Sequence, residues 1–287
     1  SINADAAKKA FAEKVGMRLI YEIKRDYEKN TITAAQVYIP KKENTFIDAF
    51  TGEARETQAD FASPFRYSLG TDEFSAMGDG DGKGGLSPVE IAETDTVAGL
   101  KSAAEIEKSL RANPLLGITK DMKLERQMLS RNRFEKSKYF YSMSFESDSD
   151  YATAEVNAAT GELLGFSRDY DEPGSAKSLS GEKLKAAALA AAQKLAPAHF
   201  KADGSGDYIE YPDYNLADSE NQYVFIRVVN SIPCPSDRIS IVLNPVDGSL
   251  AAYSFTNTDV EFPAVQTITA EQAAEKLFEH CGFDLAY

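Results

Sequence analysis

INADAAKKAFAEKVGMRLIY, residues 2–21, returns at the far end of the chain as ITAEQAAEKLFEHCGFDLAY, residues 268–287. Laid in register, the two share Ile, two Ala, Glu, Gly, Leu and Tyr. Each reads as a capped helix, a glycine stop and the first residues of a strand. Self-similarity of this kind is the mark of a tandem repeat, whose units are modular scaffolds. The shared element sets the expectation that this sequence is a segment cut from a longer array. Its lack of a signal peptide is then silent on export. Leu285 to Tyr287 is expected to begin a strand that pairs with a sheet edge or with a second molecule.

A second repeat lies in the turns. IDAFTGEA (47–54), VNAATGEL (156–163) and LNPVDGSL (243–250) each place Asp or Asn four residues before a glycine, between apolar runs. The leading Asp48, Asn157 or Asn244 can accept hydrogen bonds from the turn backbone. Gly52, Gly161 and Gly248 then take the left-handed position that closes a hairpin, where a Cβ would clash.

Strands flank these turns. Tyr139, Tyr141, Met143 and Phe145 alternate with Phe140, Ser142 and Ser144, and Ile239, Ile241 and Leu243 alternate with Ser240 and Asn244. That period of two marks strands with one buried face. YVFIRVV (223–229) is apolar almost throughout, as a central strand would be.

Helices have explicit starts. Leu86-Ser87-Pro88-Val89-Glu90 supplies a Ser cap, Pro at the first helical position and Glu at the third. Thr269 with Gln272 repeats the logic, and another helix spans Ala103 to Arg111. Ser180 opens a helix whose Leu184, Ala188, Ala191 and Leu195 form one apolar stripe. Each unit is therefore a helical start followed by an antiparallel sheet, and the fold class is α+β with helices packed on one face.

Composition narrows the function. The 287 residues carry a formal charge of −14, which argues against nucleic acid or anionic lipid as partner. The charge is uneven. Residues 101–138 hold ten Lys/Arg and five Asp/Glu, a local +5 that reads as a solvated basic face or as a dock for an acidic neighbour. No run of apolar residues reaches membrane-spanning length. Of the two cysteines, Cys281 aligns with Val15 and is expected on an apolar helix face, and Cys234 lies in the loop SIPCPSD. Two unpaired thiols are expected rather than a disulfide.

These features together resemble the YcdB/YcdC repeat family, distant relatives of the PepSY (peptidase propeptide) domain. The residues that carry the likeness are the LSPVE start, the VNAATGELLGF hairpin, the FIRVVNSIP…DRISIVLNPVDGSLAAYSF run, and the helix after EFP that ends in GFDLAY. The leading FAEKVGMRLIY…VYIPKKENTFIDAFTGEA is similar to the tail of another such unit. The chain departs from the family pattern at Asn230-Ser231, where glycine and aromatics are usual, and in having no Trp.

The resemblance divides the chain into a partial repeat unit at 1–56, a connector at 57–85, complete PepSY-like units at 86–178 and 179–265, and the start of a further repeat at 266–287. It implies a bacterial secreted or cell-surface protein whose partner is another protein, a peptidase or an envelope component. No catalytic residue belongs to the pattern, so none carries over.

The sharpest local motif for chemistry is DGDGKGGLSPVE, residues 79–90. Asp79, Asp81, Ser87 and Glu90 fall at the oxygen-ligand positions of a twelve-residue calcium loop, with glycine at the sixth position. Lys83 stands where another oxygen ligand belongs, so any calcium affinity would be weak. Ser87, Pro88 and Glu90 are equally the residues of a helix cap. Gly80, Gly82 and Gly85 match a dinucleotide-binding pattern, but SLGTDEFSAM before them is not the apolar strand that pattern needs. Gly84 after Lys83 removes the P-loop.

His199 and His280 both sit near helix ends and read as helix C-terminal charges or surface residues. Asp169 and Asp171, flanking Tyr170, are the pair that a two-carboxylate hydrolase would use. Nothing else marks them out in so acidic a chain. The expectation is a non-catalytic module with no cofactor beyond the candidate calcium loop. It binds or restrains a protein partner; the alternative is a structural spacer of the envelope.

Overall fold

The computed structural model describes residues 2–42, 45–56, 99–169, 178–211, 221–264 and 268–281. The LSPVE helix start, the 57–85 connector, the calcium-loop residues Asp79, Asp81, Ser87 and Glu90, the terminal strand at 285–287 and Asp171 all lie outside them.

The first repeat opens with helix α1 (Ala4–Lys14), whose cap Asn3 accepts a hydrogen bond from the Ala6 N–H at 2.8 Å. Gly16 then turns the chain at φ 70° into strand β1 (Met17–Asp26), which pairs with β2 (Thr31–Pro40). Short strands β3 (Thr45–Ile47) and β4 (Ala54–Glu56) make a second hairpin. A helix and four strands in this order match the layout of the later repeats. In the segment 1–56 the strands form two separate hairpins rather than one sheet.

The second and third repeats share one sheet. Helix α2 (Ala103–Ala112) precedes β5 (Lys123–Arg131), β6 (Tyr139–Glu146), β7 (Tyr151–Asn157) and β8 (Leu163–Arg168). Helix α3 (Gly181–Leu195) precedes β9 (Tyr208–Ile209), β10 (Gln222–Val229), β11 (Ile232–Leu243) and β12 (Leu250–Phe255). Within each repeat, successive strands are neighbours. Between repeats the last strands pair antiparallel, Ser167 opposite Ala252 and Gly165 opposite Ser254. The result is an eight-stranded sheet in the order β5-β6-β7-β8-β12-β11-β10-β9. Two sheets that end at the same kind of edge strand join by that edge, which removes both edges from solvent.

One face of this sheet meets both helices. Ile106 and Leu110 of α2 and the stripe Leu184, Ala188, Ala191 and Leu195 of α3 pack on Met143, Phe145, Phe166, Ile239, Ile241 and Tyr253. Each large apolar side chain buried there contributes about 1.5–3 kcal/mol. Helix α2 has a full capping box: the Glu105 N–H donates to Ser102 Oγ and the Ser102 N–H donates to the Glu105 carboxylate. Helix α4 (Ala270–Cys281) is capped reciprocally by Thr269 and Gln272, as the sequence indicated. It packs on α1 with Phe278 edge-on to Phe11 at 5.1 Å, so the two copies of the repeated element meet.

The three turns have one geometry. The Gly52, Gly161 and Gly248 amides donate to the carbonyls of Asp48, Asn157 and Asn244 at 2.8 Å, with φ of 69°, 82° and 75°. The leading side chains accept from the backbone amides of Phe50 and Thr51, of Ala159 and Thr160, and of Val246. A Cβ at Gly248 would also come within 3.3 Å of Leu179. Gly248→Ala is therefore expected to cost about 1–2 kcal/mol; equilibrium urea unfolding checks this, and no loss would contradict the turn.

Two expectations are corrected. Strand β10, read as central, is second from the edge beside the two-residue β9. Its apolar character has other causes: Phe225 joins the helix-side core, and Val229 packs on the β1–β2 hairpin. Cys281, expected on an apolar face, is exposed at the end of α4. Phe278 and Ala274 face α1 instead. Asn230 and Ser231, which the sequence marked only as a departure, are the two left-handed residues of the tight β10–β11 turn at φ 51° and 64°.

Candidate functional site

The face of the sheet turned away from α2 and α3 is the candidate site. Pairing register lays two rows across it. One runs Met128, Ser142, Glu155, Gly165, Ser254, Ser240; the other runs Arg126, Ser144, Thr153, Ser167, Ala252, Val242. Alternation dictates this: the partners in each strand point to the core. From β6 to β12 the rows hold Ser, Thr, Gly and Ala apart from Glu155. They are half-buried or exposed, and the rows of mostly small side chains cross the seam between β8 and β12. Thr153 and Ser167 share a hydrogen bond at 2.8 Å.

Glu155 is the exception in the rows. Its Oε2 is fully buried and has no hydrogen-bond partner. Loss of water around the carboxyl pushes its pKa from 4.5 up to about 8, so it carries its proton at neutral pH. Its cross-strand neighbours are Ser142 and Gly165, and no carboxylate stands beside it in either adjacent strand. A lone protonated acid can donate a hydrogen bond or meet an incoming cation. It is not the two-carboxylate arrangement of a glycosidase.

The candidates raised by sequence are dispersed. Asp169 is exposed past the end of β8, its N–H bonded to the Tyr151 carbonyl. His280 sits in the last turn of α4 and is exposed. His199 is not the surface residue expected. Its ring packs on Tyr208 and Phe255 at 5.9 and 5.0 Å, and its Nε2 lies 3.6 Å from Glu162. Among the described residues no three of His, Cys, Asp and Glu converge as metal ligands. Burial pushes the Cys234 thiol up to about 12, which makes it inert.

Sequence reading missed the polar anchor behind this face. Asp237 is fully buried. It accepts hydrogen bonds from Arg227 Nη1 at 2.8 Å, from the Thr258 N–H at 3.0 Å and from Thr258 Oγ1 at 2.7 Å. Arg227 also donates to the Thr258 carbonyl at 2.9 Å and lies over the Phe262 ring. These contacts hold residues 256–264 as a strap. The first repeat grips its far end, where Tyr21 Oη and Gln36 Nε2 donate to the Pro263 carbonyl and Phe262 packs edge-on to Tyr21. The second repeat grips its middle, where Glu135 accepts from the Asp259 N–H at 2.9 Å. All three repeats are thus tied to one segment. An Asp on the same parity as Ile239, Ile241 and Leu243 was the sequence signal for this anchor.

A family model described as the YcdB, YcdC repeated domain matches residues 105–257. Among solved structures, the Bacillus megaterium YpeB C-terminal domain is similar at 15% identity, over 62% of this chain and 75% of that one, with a TM-score of 0.42. No curated protein matches the chain.

Proposed function

This chain belongs to the YcdB/YcdC repeated-domain family, and from that premise we propose that it is a non-catalytic module that binds or restrains a protein partner outside the cell. The observation that carries this reading is the sheet face opposite the described helices α2 and α3. Two units joined in one sheet present continuous rows of mostly small polar side chains, which suit contact with another protein better than enclosure of a small molecule. The described helices include none long and apolar enough to cross a membrane. The partner class, a secreted peptidase or an envelope component, comes from the family's kinship with propeptide domains.

The test is capture from a secretome with the immobilised chain, followed by assay of the captured peptidases with and without it. Specific capture that is lost when Ser254 and Ser167 are replaced by bulky Arg supports the reading. Capture unaffected by those changes, together with uninhibited peptidases, counts against the face and against restraint.

A second reading, a rigid spacer, draws on the strap. Contacts from three repeats to residues 256–264 suit a part that must hold its shape. A spacer captures no partner, so the same experiment separates the two.

A further inference from the structure

We propose that the outer edge of β5 is the docking site for an extended, acidic segment of a protein partner, which would add a ninth strand to the sheet. This rests on the protein-binding reading and names the surface and the partner's chemistry.

The eight-stranded sheet ends unevenly. At one side β9 is two residues long and is flanked by the Phe200–Tyr208 bridge. At the other, β5 runs nine residues, and among the described residues it pairs only with β6. Its outer backbone groups form a template for another strand. Lys123, Glu125, Arg126, Gln127, Leu129 and Arg131 are exposed along it, Leu129 at 38%.

Charge selects the occupant. Much of the basic charge in residues 101–138 is already engaged. Arg111 pairs with Glu107 and donates to the Thr119 carbonyl. Arg133 donates to Asn30 and to the Tyr27 carbonyl, and Lys138 pairs with Glu135. Arg131 donates to the Lys136 carbonyl and lies over Tyr139. Exposed Lys123 and Arg126 have no ion pair among the described residues and stand on the edge that no other described strand pairs. In a chain of −14, they are surplus positive charge at a backbone template.

A second copy paired through the middle of β5 fits poorly. Antiparallel self-pairing of β5 centred on Gln127 sets Lys123 against Arg131 twice, and like charges directly opposite are destabilising. The irregular register between Leu124 and Arg126 further guards the edge against indiscriminate pairing. A strand with carboxylates at alternate positions can set them against Lys123 and Arg126 and so avoids the like-charge obstacle.

The experiment titrates the whole chain with fluorescent peptides and follows anisotropy. One peptide alternates glutamate with valine, a second alternates lysine with valine, and amide hydrogen exchange maps protection. The acidic peptide is expected to bind, to weaken as salt rises, and to protect amides of residues 123–131. Lys123→Glu with Arg126→Glu is expected to weaken it roughly tenfold or more; circular dichroism checks that the doubly changed chain is folded. Equal binding of the lysine peptide, affinity unmoved by the charge reversal, or protection confined to other strands each overturns the assignment. So does a self-association that the reversal abolishes, since the occupant would then be a second copy. A captured secreted partner that binds the reversed chain unchanged also overturns the edge assignment while leaving the protein-binding reading standing. Peptide binding as expected with no partner captured supports the edge and counts against that reading.

Discussion

Glu155→Gln is expected to leave stability nearly unchanged near pH 5 and to raise it near pH 8.5 by roughly 3–5 kcal/mol. The direction follows from where the proton sits. The buried carboxyl titrates at about 8 in the folded chain against 4.5 when unfolded. Between those values the folded state keeps a proton that the unfolded state has released. Stability from this group is fully present below pH 4.5 and falls as pH rises, by about 1.4 kcal/mol per pH unit, until the folded carboxyl ionises. Glutamine has the same shape and no proton to lose, so its profile lacks that slope. Chemical unfolding across pH 4–9 for both proteins checks this. Parallel profiles would mean that Glu155 is hydrated and ionised in the folded state. A partner that brings a cation to Glu155 would lower its pKa, so partner binding through this contact would strengthen with rising pH and disappear in Glu155→Gln.

Asp237→Ala is expected to cost about 3–5 kcal/mol, the usual penalty for leaving one half of a buried ion pair behind. Arg227 would be stranded against the sheet, and the Thr258 N–H and hydroxyl would lose their acceptor. The loss should not stay local. Residues 256–264 join the third repeat to Tyr21 and Gln36 of the first, so amide protection is expected to fall in the strap and along β1. Replacing Arg227 and Asp237 together by leucine removes the stranded charge, and the double variant should be more stable than Asp237→Ala. Urea unfolding and hydrogen exchange on both variants give the answer. If Asp237→Ala stays within 1 kcal/mol of the parent, the strap is not an anchor.

How far the sequence revealed this structure depends on the range of the interactions. The turns were fully legible because their information is local: Asn157 and Gly161 lie four residues apart and make the bonds that define the hairpin. The α3 stripe was legible for the same reason, since Leu184, Ala188, Ala191 and Leu195 are spaced to share a helix face. The β8–β12 pairing was not legible. Gly165 and Ser254 come from different repeats, and no pattern within either strand specifies the other. That pairing turns two modules into one sheet and so creates the continuous face. Glu155 was hidden in plain alternation, because a polar residue at an outward position of a strand ordinarily meets water. The Arg227–Asp237 pair was not legible either, because it forms across a register shift between β10 and β11 that neither strand's own pattern marks.

The fused sheet is the premise for both the shared face and the uneven edges. In a chain carrying Cys281→Ser, Ser167→Cys with Ala252→Cys tests it most directly. Register partners on adjacent antiparallel strands stand about 4.5–5.5 Å apart at Cα, within disulfide reach. Ser167→Cys with Val242→Cys, one strand further away at roughly twice the distance, is the control. Mild oxidation of the folded protein should close the first pair and spare the second. Equal yields, or no bond in either, would contradict a sheet joined through the last strands of its two repeats.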